Sequence, residues 1–349
     1  MTMVRRHSLK VFVGDIPIGG DSPIVLQSMT NTPTTDIAAT VRQIAELREA
    51  GCDLVRVAIP DKESARVFGI LREKANVPLI ADIHFDYRLA LEAIDNGADK
   101  IRLNPGNIGS SDRVLKIIEA AEKRNIPIRI GVNAGSLEKK LRSEKGVTPE
   151  AMLESCLNQV KFFEDSGFRS LVLAIKASSI LLNIETTRLL AAEVDYPLHL
   201  GLTEAGLPGP GSIKSAVALG ILLGEGIGDT VRVSLSGDPL NEIRDGLTIL
   251  RSLGLKPPGL NIISCPTCAR CHGEVAETAE RLSKELRGYK KALNIAVMGC
   301  EVNGPGEARE ADVGVAFAKG GGGLIFKKGE ILGKSKNIFE DLMKEIKEI

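Results

Sequence analysis

Two cysteine-bearing loops near the carboxyl end carry the residue types best suited to metal chemistry. The first reads Ser264-Cys265-Pro266-Thr267-Cys268-Ala269-Arg270-Cys271-His272, and the second Met298-Gly299-Cys300-Glu301-Val302-Asn303-Gly304-Pro305-Gly306-Glu307. Together they hold four of the chain's six cysteines. Two thiolates separated by two residues can turn onto one metal, because a tight turn points both sulfurs the same way. A third, on a distant Gly-Pro-Gly loop, can close the site from the other side. Soft thiolates select zinc or an iron–sulfur cluster. The spacing of Cys265, Cys268 and Cys271 begins like a ferredoxin run, but position 275 is Val and that pattern fails. Structural zinc and a disulfide pair are the plain alternatives.

A second set of chemically capable residues lies earlier in the chain. Arg56, Arg102, Arg129 and Lys176 sit within or at the ends of four short apolar runs. A cation in such a run is costly to desolvate unless an anion meets it. For any single arginine an internal salt bridge explains the position as well as a ligand does. Four converging cations from four segments suggest a multiply charged anion, and a diphosphate fits. Asp82, His84, Asn104, Asn107, Asn133, Ser178, Thr203, Glu204, Ser234, Ser236 and Asp238 fall at the ends of the same runs. Gly206-Leu207-Pro208-Gly209-Pro210-Gly211-Ser212 and Ser236-Gly237-Asp238 each lead into a helix start, a usual place for phosphate. His7, His199 and His272 read as structural or surface residues, and Cys52 and Cys156 as core thiols.

The segments that position these residues repeat one pattern eight times, a short β-branched run followed by an amphipathic helix. The predicted strands are Ile24–Met29, Leu54–Ile59, Pro78–His84, Lys100–Leu103, Pro127–Val132, Ser170–Lys176, Pro197–Thr203 and Thr230–Ser234. Continuous apolar runs suit parallel strands buried on both faces. Helices over Asp36–Ala50 and Ala151–Ser166 stop at Gly51 and Gly167. Eight such units predict an α/β fold, a TIM (β/α)8 barrel, whose site lies at the carboxyl ends of the strands. A short hairpin within residues 8–20 precedes it. The barrel is assigned to residues 1–253. Gly254-Leu255-Lys256-Pro257-Pro258-Gly259 reads as a linker over 254–259. Residues 260–349 read as a small α+β module, with runs at Asn294–Met298, Val313–Phe317 and Leu324–Lys327 and helices at Val275–Leu286 and Lys336–Ile346. The four glycines 320–323 read as a hairpin turn rather than a phosphate loop.

Composition narrows the partners. The 349 residues include 45 basic and 45 acidic ones, so net charge gives no pull toward nucleic acid or anionic membranes. There is no Trp, which removes the best base-stacking side chain. No apolar stretch follows Met1–Ser8 and none reaches membrane-spanning length, so a cytoplasmic protein with reduced thiols is expected.

The combination of motifs is more specific than any one of them. Gln27-Ser28-Met29-Thr30-Asn31-Thr32, Ala81-Asp82-Ile83-His84-Phe85-Asp86-Tyr87, Arg102-Leu103-Asn104-Pro105-Gly106-Asn107-Ile108-Gly109 and Ile130-Gly131-Val132-Asn133-Ala134-Gly135-Ser136-Leu137-Glu138-Lys139 occur in order with the two cysteine loops. In this the chain resembles the bacterial 4-hydroxy-3-methylbut-2-enyl diphosphate synthase family of the methylerythritol phosphate isoprenoid pathway, over nearly its whole length. The resemblance implies reductive ring opening of 2-C-methyl-D-erythritol 2,4-cyclodiphosphate, with loss of water, by way of a 4Fe-4S cluster. It implies cluster ligation by Cys265, Cys268, Cys300 and Glu307. It implies diphosphate contacts from Arg56, Arg102, Arg129, Lys176 and Ser234, with Asn133 beside them. His84 and Glu204 match polar site positions, with Glu204 the candidate proton donor. A flavodoxin or ferredoxin is the implied electron donor. Cys271 is a thiol that the family motif does not require, and it reads as a bystander.

Helix eight of a barrel ends at the face opposite the site, and a six-residue linker spans at most about 20 Å. A homodimer is therefore expected, with the cluster module of one chain closing over the barrel of another. The competing readings are a barrel that binds a pterin or another phosphorylated ligand beside structural zinc, and an iron–sulfur redox sensor on a barrel scaffold.

Overall fold

The computed structural model describes residues 4–289, 291–301, 306 and 308–349. They form two compact units, Met1–Lys256 and Pro257–Ile349.

The large unit opens with an antiparallel hairpin, β1 (Val11–Val13) and β2 (Ile16–Ile18), turned by Gly14 at φ +58°. Eight parallel strands follow: β3 (Val25–Met29), β4 (Leu54–Ala58), β5 (Leu79–Asp82), β6 (Lys100–Leu103), β7 (Ile128–Asn133), β8 (Leu171–Lys176), β9 (His199–Leu200) and β10 (Thr230–Val231). They are hydrogen-bonded in the order β8-β7-β6-β5-β4-β3-β10-β9, and a parallel bridge between Leu173 and Leu198 joins the two ends. Helices between the strands bury their apolar stripes against the outside of this ring. Each starts and stops where the local chemistry requires. The Asp36 carboxylate caps helix Ile37–Glu49 through the Ala39 N–H, and Gly51 at φ +101° ends it. Helix Pro149–Asp165 is capped by Thr148 and stopped by Gly167 at φ +83°.

The strand register fixes what points inward. In a tilted barrel, the plane across the axis climbs one residue per strand. Following Gln27 around in this way leads through Ile80, Arg129 and His199 and back to Gln27. These four residues, from alternate strands, form one interior layer. The same path from Arg56 passes Arg102, Ala174 and Arg232 in the layer above. At the amino end of the strands Val25, Leu54, Ile80 and Val172 are apolar and pack against Val11, Val13 and Ile18 of the hairpin. The hairpin thus closes the bottom of the barrel, and the polar interior faces the carboxyl end.

The small unit is a five-stranded sheet in the order β11 (Leu260–Ser264), β12 (Leu293–Met298), β13 (Val313–Phe317), β14 (Gly323–Lys327) and β15 (Glu330–Ser335). The first three run parallel and the last two antiparallel. Helices Val275–Glu285 and Ile338–Lys347 supply Val275, Leu282, Leu342 and Ile346 to its core. Strands β11 and β15 were not read from the sequence. Most of β15 and three of the five residues of β11 are exposed, so neither carries the buried apolar run that marked the others. Glycines 320–322 lie in the turn between β13 and β14, closed by the Ala318 N–H donating to the Gly322 carbonyl, and Gly323 opens β14.

Candidate functional site

A polar cleft of about 90 Å³ opens at the carboxyl ends of the barrel strands. It is lined by Arg56, Arg102, Arg129, Gly131, Asn133, Ala174, Lys176, Leu202, Thr203, Arg232 and Ser234. The structure therefore gathers Arg56, Arg102, Arg129, Asn133, Lys176 and Ser234, all picked out from the sequence, around one space. It adds Arg232, which sequence reading missed. The signal was present, since Arg232 lies in the apolar run Thr230-Val231-Arg232-Val233-Ser234 as Arg56 lies in Leu54-Val55-Arg56-Val57-Ala58. A larger hollow of about 310 Å³ lies between the outer helices Tyr87–Asp95 and Ser111–Lys123, away from the strand ends.

The cations are held by few counter-charges. Asp82, buried at the end of β5, takes Arg102 Nη1 on one carboxylate oxygen at 3.0 Å. On the other it takes Arg56 Nε at 3.5 Å and His84 Nε2 at 3.3 Å. Burial alone would raise the Asp82 carboxyl, but Arg56, His84 and Arg102 together hold it far below the ordinary carboxylate range. The Arg56 guanidinium also donates to the Met29 sulfur from Nε and Nη2, at 3.0 and 2.9 Å. Its own pKa is lowered to about 10, by burial first, against the pull of Asp82. Arg232 forks onto Glu242 with bonds of 3.1 and 3.0 Å, and Glu242 is fixed in turn by the Ser28 hydroxyl.

Among the described residues, no carboxylate forms an ion pair with Arg129 or Lys176. Arg129 is buried, and its Nε and Nη1 meet no hydrogen-bond partner among the described residues. The Lys176 ammonium lies 3.2 Å from His199 Nε2, while His199 Nδ1 lies 2.6 Å from the Thr230 hydroxyl. His199 is thus a buried neighbour of the site, where the sequence suggested a structural or surface residue. Burial, then Lys176 and three further cations, push its pKa well below the ordinary range, so the ring is neutral and can accept from Lys176. Lys176 and Arg129 are themselves pushed well down, by burial first and then by the other cations. Lys100, one layer deeper, is fully buried and shifted the same way. Six basic side chains (Arg56, Lys100, Arg102, Arg129, Lys176 and Arg232) thus meet two carboxylates among the described residues, a balance that a multiply charged anion corrects.

His84 and Glu204 are both exposed, and neither lines the cleft: His84 reaches it only through Asp82, and Glu204 follows the lining residue Thr203. Glu204 adopts φ +56°, a left-handed conformation that a side-chain-bearing residue holds only under local constraint. Asn104 caps the helix Pro105–Ile108 by accepting from the Gly106 N–H, which ties it to the loop rather than the cleft.

In the small unit, parallel pairing of β11 with β12 puts the two cysteine loops side by side at the same strand ends. The Cys265 N–H donates to the Val297 carbonyl, and the Gly299 N–H donates to the Cys265 sulfur at 3.1 Å. The Cys271 N–H returns to the Cys268 carbonyl, and the His272 N–H to the Gly299 carbonyl. A Cβ at Gly299 would stand 2.7 Å from the Cys271 sulfur and 3.0 Å from that of Cys265, so only glycine leaves room for both. Cys268 is exposed, Cys265, Cys271 and Cys300 are half-buried, and no disulfide joins any of the six. Cys52 and Cys156, by contrast, are buried in the barrel, and burial pushes each thiol up to about 12. Those two remain protonated and inert, whereas the accessible group has the chemistry of soft-metal ligands. The N–H donated to Cys265 and the glycine cradle fit an iron–sulfur group, which takes such bonds at its ligand sulfurs. Among the described residues no three His, Cys, Asp or Glu side chains converge as a metal site. Glu307 lies outside the described residues.

A family model described as "GcpE TIM-barrel domain" matches residues 8–247, and one described as "GcpE protein C-terminal domain" matches residues 261–348. A protein of Caldanaerobacter subterraneus named 4-hydroxy-3-methylbut-2-en-1-yl diphosphate synthase (flavodoxin) is 51% identical, over 100% of this chain and 99% of its own. One of the same name from Clostridium perfringens is 52% identical, over 99% and 98%. Among solved structures, dihydropteroate synthase of Yersinia pestis superposes with a TM-score of 0.51 at 13% identity, covering 70% of this chain and 97% of its own. At that identity the likeness concerns the barrel fold alone.

Proposed function

The chain belongs to the GcpE family, and from that premise we propose that it catalyses the reaction for which its relatives are named. It is an oxidoreductase of isoprenoid precursor synthesis. It converts 2-C-methyl-D-erythritol 2,4-cyclodiphosphate to (E)-4-hydroxy-3-methylbut-2-enyl diphosphate. Two electrons and two protons enter, one C–O bond of the ring opens, and one water leaves. The observation that carries this reading is the excess of buried cations over carboxylates at the carboxyl face of the barrel.

Arg56, Arg102, Arg129, Lys176 and Arg232 hold the diphosphate, with Asn133 and Ser234 supplying neutral bonds. Asp82 orients Arg56 and Arg102, Glu242 orients Arg232, and His199 orients Lys176. Arg56, Arg102, Arg232 and Lys176 are thus aimed before substrate arrives, which lowers the ordering cost of binding. His84, beside Asp82, and Glu204, next to Thr203, are the groups to exchange protons with the sugar part, and Glu204 is the donor to the departing oxygen. Cys265, Cys268, Cys300 and Glu307 would hold a 4Fe-4S cluster, which when bound supplies the two electrons. Flavodoxin, the donor that the relatives' name carries, is the partner that delivers them. The linker argument supports a homodimer in which each barrel is served by the cluster module of the other chain. No helix of the described residues is long and apolar enough to cross a membrane, which suits a cytoplasmic enzyme.

Anaerobic turnover of the cyclic diphosphate with a chemical reductant tests the reading. Formation of the open-chain diphosphate at a rate that falls at least about a hundredfold in Arg129→Met supports it, the loss expected when a buried charge-assisted contact goes. A protein that binds zinc alone, or that ignores this substrate, overturns it.

A further inference from the structure

We propose that Cys265 and Cys271 form a protective disulfide when the protein loses its iron, so that the extra thiol is a modification site serving a cluster ligand. The proposal rests on the iron–sulfur reading above. Its structural basis is the approach of the two sulfurs to one point. Both lie within 3.0 Å of the position that a Cβ on Gly299 would occupy. The turn from Cys268 to Cys271 and the bond from the His272 N–H to the Gly299 carbonyl bring Cys271 back beside β12. The two thiols are half-buried against the same core, whereas Cys268 is exposed. The two sulfurs are therefore no more than about 5.7 Å apart, across a glycine with no side chain in the way.

The chemistry balances with dioxygen as oxidant. The two thiols lose two electrons and two protons, one S–S bond forms, and dioxygen becomes hydrogen peroxide. The benefit is reversibility. A lone exposed thiolate proceeds through sulfenic to sulfinic acid, which thiol reductants do not reverse, whereas a disulfide returns to two thiols by exchange. With intact iron the Cys265 sulfur is engaged, and Cys271 donates to the Gly273 carbonyl, as it does here at 3.1 Å.

The test uses the full chain, purified anaerobically and then exposed to air until its iron is released. Remaining thiols are alkylated and the unreduced peptides are mapped by mass spectrometry. A Cys265–Cys271 cross-link at least about five-fold above Cys265–Cys268 is expected, since sulfur access and geometry select the partner. In Cys271→Ser, Cys265 is expected as sulfinic or sulfonic acid. Iron reloading after dithiothreitol should then fall about three-fold or more below the wild-type level, since those acids are not reduced. Cross-linking of Cys265 mainly to Cys268 or Cys300, or recovery of both Cys265 and Cys271 as alkylated thiols, overturns the proposal. If the anaerobic protein carries no iron at all, the iron–sulfur reading fails, while the thiol map of the same sample still decides whether this pair forms.

Discussion

Replacing Asp82 by Asn separates the two roles of the barrel cations, fold and ligand. The carboxylate is the shared counter-charge of Arg56, Arg102 and His84, at 3.5, 3.0 and 3.3 Å, and is itself 1% exposed. An amide of the same shape leaves two largely buried guanidiniums without it. Removing one partner of a buried pair costs about 3–5 kcal/mol. For a unit of this size each kcal/mol moves the midpoint by about 2–4 °C, so the barrel transition should fall by about 6–20 °C. Calorimetry of the anaerobic protein reads this directly. The same change leaves the cleft more positive, so inorganic diphosphate should raise the midpoint of Asp82→Asn by more degrees than that of the wild type. The pH dependence follows from the direction of the shift. The folded carboxyl is held far below its ordinary value, so its contribution is complete above the unfolded pKa of about 3.9 and fades as pH falls below that. The gap between wild type and variant should therefore be constant near neutrality and close in acid. A variant that melts within about 2 °C of wild type at pH 7, or a gap that widens in acid, would refute the role given to Asp82.

Three further outcomes follow from the same geometry. Diphosphate binding should take up protons at a pH below the ordinary lysine range, because an anion favours the charged form of Lys176, whose pKa burial and neighbouring cations hold well below the ordinary value; calorimetric titration in buffers of different ionisation enthalpy measures the number, and proton release would contradict it. His199→Phe should weaken diphosphate binding by about ten-fold or more, since a hydrogen bond to a charged group is worth about 1.5–3 kcal/mol, with His199→Gln restoring part of the loss through its amide oxygen; equal affinities in all three proteins would show that His199 does not position Lys176. Gly201→Ala should be destabilised and bind diphosphate weakly, because its Cβ would stand 2.6 Å from the Arg232 carbonyl and 3.0 Å from Lys176 Nζ; a melting curve and a binding isotherm matching wild type would show that the strand shifts freely.

Much of the barrel was legible because its signals are local. Leu54-Val55 and Leu171-Val172-Leu173 are apolar on both faces, and Gly51 and Gly167 stop the helices before β4 and β8. Arg56, Arg102, Arg129 and Lys176 stood out because a cation in an apolar run needs an explanation wherever the run lies. The cysteine loops stood out through spacing alone.

The remainder depends on register, which no short window contains. Whether an inward residue meets a carboxylate or another cation is set by a stagger accumulated over eight strands. That is why Asp82 could be read as a site residue but not as the common partner of Arg56, Arg102 and His84. His199 looked like an isolated histidine until β9 closed on β8 and set it against Lys176. That Cys271 lies against Gly299 beside Cys265 became visible only once β11 paired with β12. Residue types and spacing by themselves determined which side chains can do chemistry. Only the tertiary structure decided which of them meet, because burial and charge pairing act through space between segments far apart along the chain.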